Sequence, residues 1–167
     1  MELHCLENKS ILITGASGFI GSFMVERALA EGMEVWAAVR PTSSRRYLTD
    51  DRIHFIELDL SDELHLQHQL EDHLKEVGGR PFDYVIHAAG ATKCRRAEDF
   101  FTINAEGTAC LALTLLATQA LLPTGRFVFI SSLSVMGPLH ERDGKDIMAS
   151  ELARPNTAYG ASKLQAE

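Results

Sequence analysis

The sequence is poor in what a secreted or metal-dependent scaffold needs. Its only thiols are Cys5, Cys94 and Cys110, and no two stand at a CxxC or His–Cys ligand spacing. An odd, unpatterned count offers no disulfide framework and suits a reducing compartment. A basic surplus is also missing. The formal net charge is −7, which argues against nucleic acid as a partner, because a phosphate backbone asks for a basic face. The opening MELHCLENKS has no basic stretch followed by an apolar run, so no signal peptide is expected. There is no internal repeat and no low-complexity segment. The most apolar helix-like run, Gly107–Leu122, carries Thr108, Thr114, Thr118 and Gln119 and is short for a membrane span, so it reads as a core helix. The expectation is a cytoplasmic protein without a membrane segment. At 167 residues, 46% of them apolar, the chain has material for one sizeable core.

What is present is an alternation. Short apolar or β-branched runs at Ser10–Thr14, Glu34–Val39, Ile53–Leu58, Tyr84–His87 and Phe127–Ser131 read as buried strands. Helical patterns separate them at Phe19–Glu31, Asp62–Val77 and Ala97–Leu122, and another helix begins near Tyr159. Gly78-Gly79-Arg80-Pro81 and Pro123-Thr124-Gly125 are breaks. Gly137–Asn156, with Pro138, Gly144 and Pro155, reads as a long loop, and Pro41–Asp51 as a shorter polar one. On the second helix, His65, His68 and His73 read as a solvated face rather than metal ligands. Such alternation predicts an α/β fold, a doubly wound parallel sheet. Ligands in such sheets sit beyond the carboxyl ends of the strands.

The first strand runs into Gly15-Ala16-Ser17-Gly18-Phe19-Ile20-Gly21, and a helix follows. Gly15 permits a tight turn, Gly18 lets a pyrophosphate approach the backbone, and Gly21 lets the helix pack close to the sheet. The backbone N–H groups of this loop and the positive helix end would then hold the anion. The second strand ends at Arg40, where an NAD site usually holds an acid for the ribose hydroxyl. A guanidinium there suits the 2′-phosphate of NADP. NADP is therefore the favoured cofactor and NAD the alternative. Asp59, beside Leu60 at the end of the third strand, can accept from an adenine amine or serve as a plain turn residue.

The fourth strand leads into Ala88-Ala89-Gly90, small enough for a ring or ribose to lie on the backbone. His87, inside that strand, reads as a satisfied core histidine. Asn104 sits in a helix at a cost in propensity, which suggests a polar contact bridging the strands, the alternative being an ordinary residue near a helix N-terminus. Thr92 and Lys93 follow the fourth strand as possible substrate contacts. The fifth strand ends at Ser131-Ser132, and Tyr159 precedes Lys163 by one helical turn. A phenol, with an ordinary pKa of about 10, is a poor base at neutral pH. A neighbouring ammonium favours its charged form. Ser132, Tyr159 and Lys163 thus make a candidate proton-transfer set.

Thr14–Gly21, His87–Gly90, Asn104, Ser131–Gly137 and Tyr159–Lys163 together resemble the extended short-chain dehydrogenase/reductase superfamily, which includes the NAD-dependent epimerase/dehydratase family. The resemblance covers nearly the whole chain. It implies a Rossmann-like fold, a nicotinamide cofactor, and Ser132, Tyr159 and Lys163 as the catalytic set, with Ser131 as the neighbouring candidate. Ser132 is preferred because the family serine lies five residues before the glycine that matches Gly137. It further implies Gly15, Ser17, Gly18, Phe19, Ile20, Gly21, Arg40, Asp59, Leu60, Ala88, Ala89, Gly90, Asn104, Tyr159 and Lys163 at the cofactor. Sugar 4,6-dehydratases carry Asp-Glu after the catalytic hydroxyl, whereas this chain has Leu133-Ser134, so that branch is not expected. A small-molecule substrate, a nucleotide sugar, and a homodimeric full-length protein are implied. The expected activity is a nucleoside-diphosphate-sugar epimerase. The alternatives are an NADPH-dependent aldehyde or ketone reductase and a non-catalytic binding module. Family members carry a sixth strand and a substrate domain. Residues 1–167 are therefore expected to be an incomplete NAD(P)-binding domain, inactive alone.

Overall fold

The computed structural model describes residues 6–138, 147–148 and 151–167. Cys5 and Gly144 lie outside them, as does much of the long loop before Asn156. Five parallel strands make one sheet: β1 (Ser10–Thr14), β2 (Glu34–Val39), β3 (His54–Glu57), β4 (Phe82–His87) and β5 (Leu121–Phe129). Their order is β3-β2-β1-β4-β5. The chain moves outward from β1 through β3, then returns to β4 on the other side of β1. The order therefore reverses between β1 and β4, where a crevice opens at the carboxyl ends.

Both faces of the sheet are covered, which is why β1 is buried along its whole length. Ile11 and Ile13 point to one face, where they meet Val25 and Leu29 of helix α1 (Phe19–Ala30). Leu12 points to the other, into a cluster with Leu66 and Leu70 of α2 (Glu63–Glu76). This is the period of two expected of a strand. Truncating one of these buried leucines to alanine would cost about 2–5 kcal/mol. Helix α2 starts where the Asp62 carboxylate accepts the His65 amide at 2.9 Å and ends before Gly78-Gly79.

The third predicted helix is three segments: α3 (Ala97–Phe100), a π-helical turn (Phe101–Glu106) and α4 (Gly107–Ala117). Together they are 21 residues, long and apolar enough to cross a membrane by length and composition. Leu111 and Leu115 nevertheless sit in the core with α2, as expected of a core helix. The helix stops at Ala117 rather than Leu122 because Gln119 takes a left-handed conformation (φ 55°). β5 then starts at Leu121, six residues before the predicted Phe127. Phe82 pairs with Leu121 and Tyr84 with Arg126, so Pro123-Thr124-Gly125 is absorbed as a bulge. Proline is tolerated because β5 has a partner on one side only among the described residues.

One histidine differs from expectation. His65 and His68 are exposed on α2, but His73 is buried, stacked on Phe82 at 4.8 Å and edge-on to Trp36 at 4.4 Å. Its imidazole is held below the ordinary value by burial. Trp36, on β2, and Phe82, on β4, surround this side of α2 and bury it.

Candidate active site

The glycine loop is pressed against the loop that follows β4. Gly15 has φ +66°, and a Cβ there would lie 2.6 Å from Ala88 carbonyl atoms and the Ala89 nitrogen. A Cβ on Gly21 would overlap the Gly15 carbonyl oxygen. The Gly18 amide donates to that same oxygen at 2.9 Å. Gly18 is extended and starts α1 without a side-chain cap, so the first-turn N–H groups that follow it have no intrahelical partner. Ser17 is half-buried, while Phe19 and Ile20 are exposed. Phe19 meets Phe23 edge-on at 5.2 Å. A loop with no room for side chains at its floor and free amides at its rim fits a pyrophosphate.

Arg40 follows β2 on the strand adjacent to β1. Its backbone amide donates to Ser43 Oγ at 3.1 Å, and its exposed side chain makes no ion pair among the described residues. Arg45 and Arg46 differ: their guanidinium groups lie over Phe55 at 4.2 Å and Tyr47 at 4.4 Å. Arg40 is thus the arginine of the three whose fork is uncommitted. Asp59 accepts from Ser61 at its amide, 3.0 Å, and its hydroxyl, 2.6 Å, both through Oδ1. The Ser61 hydroxyl holds this carboxyl below its ordinary value. The turn role weighed for Asp59 is therefore present. Leu60 is half-buried beside the second core cluster.

Beyond the carboxyl end of β4, Asn104 and Ser162 are buried and hydrogen-bonded. Asn104, 1% exposed, lies in the π-helical turn, a form frequent at functional sites. Its Oδ1 accepts from the Ala91 amide at 2.7 Å, and its Nδ2 donates to the Ala91 carbonyl and to Ser162 Oγ, each at 3.0 Å. Ser162 Oγ donates to the Tyr159 carbonyl at 2.8 Å. A polar bridge between strands was expected of Asn104; it instead joins the Ala88–Ala91 loop to helix α5 (Ala158–Ala166), because its amide reaches Ala91 and Ser162. Ser162 was not foreseen; a serine three residues after the tyrosine carries no signal by itself.

α5 begins at Thr157, whose hydroxyl accepts the Gly160 amide at 3.0 Å. A Cβ on Gly160 would overlap the Ser134 carbonyl, so the first turn of α5 rests directly on the 3₁₀ turn Leu133–Val135. Ser132 opens that turn and accepts the Ser134 amide at 3.2 Å. Ser131 points elsewhere, donating to Glu167 Oε1 at 2.5 Å. Tyr159 lies edge-on to Phe100 at 6.0 Å. Lys163 is 4% exposed, with Nζ 4.0 Å over the Phe129 ring. A Cβ on Gly90 would lie 3.9 Å from that Nζ, so the amine sits beneath the loop after β4. Burial holds the Lys163 ammonium below its ordinary value, and Glu167 opposes this. Thr92 and Lys93 are exposed further along the loop.

Residues 11–167 match the NAD dependent epimerase/dehydratase family. The chain belongs to that family. As a family member, it is also one of the extended short-chain dehydrogenases/reductases. It is similar to the UDP-glucose 4-epimerase of Mus musculus, with 29% identity over 94% of this chain and 52% of that protein. It is likewise similar to the ceramide reductase of Caulobacter vibrioides, 28% identical over 90% of this chain and 46% of that one. Among solved structures, the Thermus thermophilus UDP-glucose 4-epimerase in complex with NAD superposes with a TM-score of 0.73 at 28% identity, over 92% of this chain and 47% of that one. The Campylobacter jejuni UDP-Glc/GlcNAc 4-epimerase shares the fold, with a TM-score of 0.76 at 23% identity, over 95% of this chain and 47% of that one. The chain thus spans about half the length of the curated relatives it matches.

Proposed function

We propose that residues 1–167 form an NAD(P)-binding domain serving hydride transfer on a nucleoside-diphosphate sugar, in the manner of an epimerase. The observation that carries this reading is Lys163, a buried cation beneath Gly90, one helical turn from Tyr159 on a helix docked against the Ser132 turn.

When bound, the nicotinamide would supply the hydride acceptor and donor. The chain's own residues do the rest. The first-turn amides of α1 after Gly18 hold the pyrophosphate, with Ser17, Phe19 and Ile20 along its rim. Arg40 pairs with a 2′-phosphate, which favours NADP over NAD, and Asp59 and Leu60 border the adenine. Ala88, Ala89 and Gly90 floor the ribose, and Asn104 fixes that floor from behind. Ser132 hydrogen-bonds the substrate oxygen. Tyr159 takes the hydroxyl proton as the alcohol is oxidised and returns it on reduction. The Lys163 charge stabilises negative charge developing on the Tyr159 oxygen.

A second reading, an NADPH-dependent aldehyde or ketone reductase, is favoured by the uncommitted Arg40 and supported by the likeness to a ceramide reductase. A non-catalytic module is disfavoured by the presence of both Tyr159 and Lys163. The relatives carry about as much chain again, which we assign to placing the substrate, so residues 1–167 alone are expected to turn over little. A cytoplasmic location and a homodimer for the longer protein belong to the same proposal.

The test is calorimetric titration with NADP⁺ and NAD⁺, repeated on Arg40→Ala. NADP⁺ should bind about tenfold more tightly, and the variant should lose that preference, as expected for one lost charge-assisted contact. Equal or tighter NAD⁺ binding would remove the NADP part. Binding of neither dinucleotide would remove the domain's assigned role.

A further inference from the structure

His87 is 1% exposed at the end of β4, directly before the Ala88–Ala91 loop. Its Nδ1 lies 2.6 Å from Thr14 Oγ1, and its Nε2 lies 3.0 Å from Thr108 Oγ1. Each threonine has one further partner. The Ala89 amide approaches Thr14 Oγ1 at 3.3 Å. Thr108 Oγ1 lies 2.5 Å from the Asn104 carbonyl oxygen.

The Asn104 carbonyl sets the direction at Thr108, and a neutral imidazole then sets it at Thr14. A carbonyl oxygen only accepts, so the Thr108 hydroxyl spends its one proton on Asn104. Thr108 Oγ1 must then accept from His87, which puts a proton on Nε2. At the other end Thr14 Oγ1 accepts from the Ala89 amide, and because a neutral ring protonated at Nε2 has a bare Nδ1, the Thr14 hydroxyl gives its own proton to Nδ1. One neutral tautomer satisfies the whole chain: Ala89 N–H to Thr14 O–H to His87 Nδ1, and Nε2–H to Thr108 O–H to the Asn104 carbonyl. The charged and aromatic surroundings agree. Lys163 is the cation facing the ring, and Phe127 and Phe129 lie 6.1 and 5.8 Å away. Burial, with Lys163 second, pushes the imidazole down to about 4.

We propose that His87 is a positioning residue, locked as its Nε2–H tautomer, which ties Thr14 to Thr108 and so sets the Ala88–Ala91 loop from beneath. Thr14 holds the loop at Ala89. Thr108 holds Asn104, whose side chain holds the loop at Ala91. The inference rests on reading that loop as the floor of the dinucleotide site. It assigns to a core histidine the task of fixing both ends of that floor through one directed run of bonds.

The test uses ¹⁵N-labelled chain. Histidine-ring spectra at neutral pH should give His87 a protonated Nε2 and a bare Nδ1. The opposite tautomer, or averaging between the two, overturns the proposal. Amide hydrogen exchange supplies a second readout on Thr108→Val and Thr108→Ser. In Thr108→Val, Ala89 and Ala91 should exchange about tenfold faster, while Ala37 on β2 keeps its protection, a local rather than global opening. Thr108→Ser should restore both amides. Unchanged amides, or acceleration at Ala37 to the same extent, would overturn it. NAD⁺ or NADP⁺ affinity should fall about fivefold to tenfold in Thr108→Val and recover in Thr108→Ser. If the parent chain binds neither dinucleotide, the cofactor reading fails, while the tautomer and exchange results still decide the role of His87.

Discussion

The two ends of the central strands handle polar groups in opposite ways. At the amino ends of β1 and β4, charges are paired. Lys9 Nζ lies 2.9 Å from Asp83, whose other oxygen accepts the Ser10 amide at 2.9 Å. Arg80 bridges to Glu34 at 2.8 Å and donates to the Asn8 carbonyl at 2.6 Å. At the carboxyl ends the groups are buried more deeply, and neutral partners meet them: threonines with His87, backbone and serine with Asn104, an aromatic face with Lys163. The amino end joins strands by ion pairs that water can reach. The carboxyl end keeps a buried cation without a salt bridge among the described residues, and desolvated charges of this kind cluster at functional sites.

The pH dependence of stability separates the ends most sharply. An unfolded imidazole takes its proton near pH 6.5, whereas folded His87 resists it down to about 4. Between those values the unfolded chain holds more protons. Stability is therefore full above pH 6.5 and falls as pH drops toward 4, by about 3 kcal/mol for His87. His73, also lowered by burial, adds in the same direction from the amino end, where it stacks on Phe82, so the comparison is read on a His73→Gln background. Asp83 acts lower. Burial raises its carboxyl, but the Ser10 amide and Lys9 outweigh this and hold it below the ordinary value. Its contribution is present above the unfolded carboxylate range and is lost as pH falls through the folded value. Urea midpoints taken across the acid range should decline already in the imidazole window. A profile flat until carboxylates titrate would erase the distinction.

Next in size is Asp83→Ala. It leaves the buried Ser10 amide without its acceptor and should cost about 2 kcal/mol in urea unfolding. Dinucleotide titration should be unaffected, because the change lies at the opposite end of the sheet from the site. A weakened titration at unchanged stability would mean the two ends are coupled.

The smallest effects come from two lysines, and their signs should differ. Lys163→Met removes a desolvated cation and should raise stability by about 1 kcal/mol while weakening dinucleotide binding. Lys9→Met removes an exposed partner of Asp83 and should lower stability slightly, with binding intact. Matching signs in thermal or urea unfolding would contradict the contrast.

Much of this was readable in advance, and the unread parts share a cause. The β1 and β2 spans, the glycine loop and the Tyr159–Lys163 spacing were legible because each is local: neighbouring residues carry the pattern. Asn104 stood out because an amide is out of place in a helix, but its partners, Ala91 and Ser162, lie 13 and 58 residues away. His87 was legible as a satisfied residue, not as a directed one, since Thr14 and Thr108 look like ordinary strand and helix threonines. The β5 start was hidden by Pro123 and Gly125, which signal a break everywhere except on a strand with one partner. His73 was misread because three histidines on one polar helix look alike until Trp36 and Phe82 surround one of them.

The π-helical turn at Phe101–Glu106 has a consequence for the whole helix. Each residue of a regular α-helix turns about 100°, so a widened turn resets the phase of everything after it. One continuous rod can then aim Phe100, before the turn, at Tyr159 of α5 and, after it, aim Leu111 and Leu115 at the core. Two faces that a uniform helix would hold in one fixed angular relation are set independently. Deleting a single residue there would keep the rod helical but rotate one face out of line with its target.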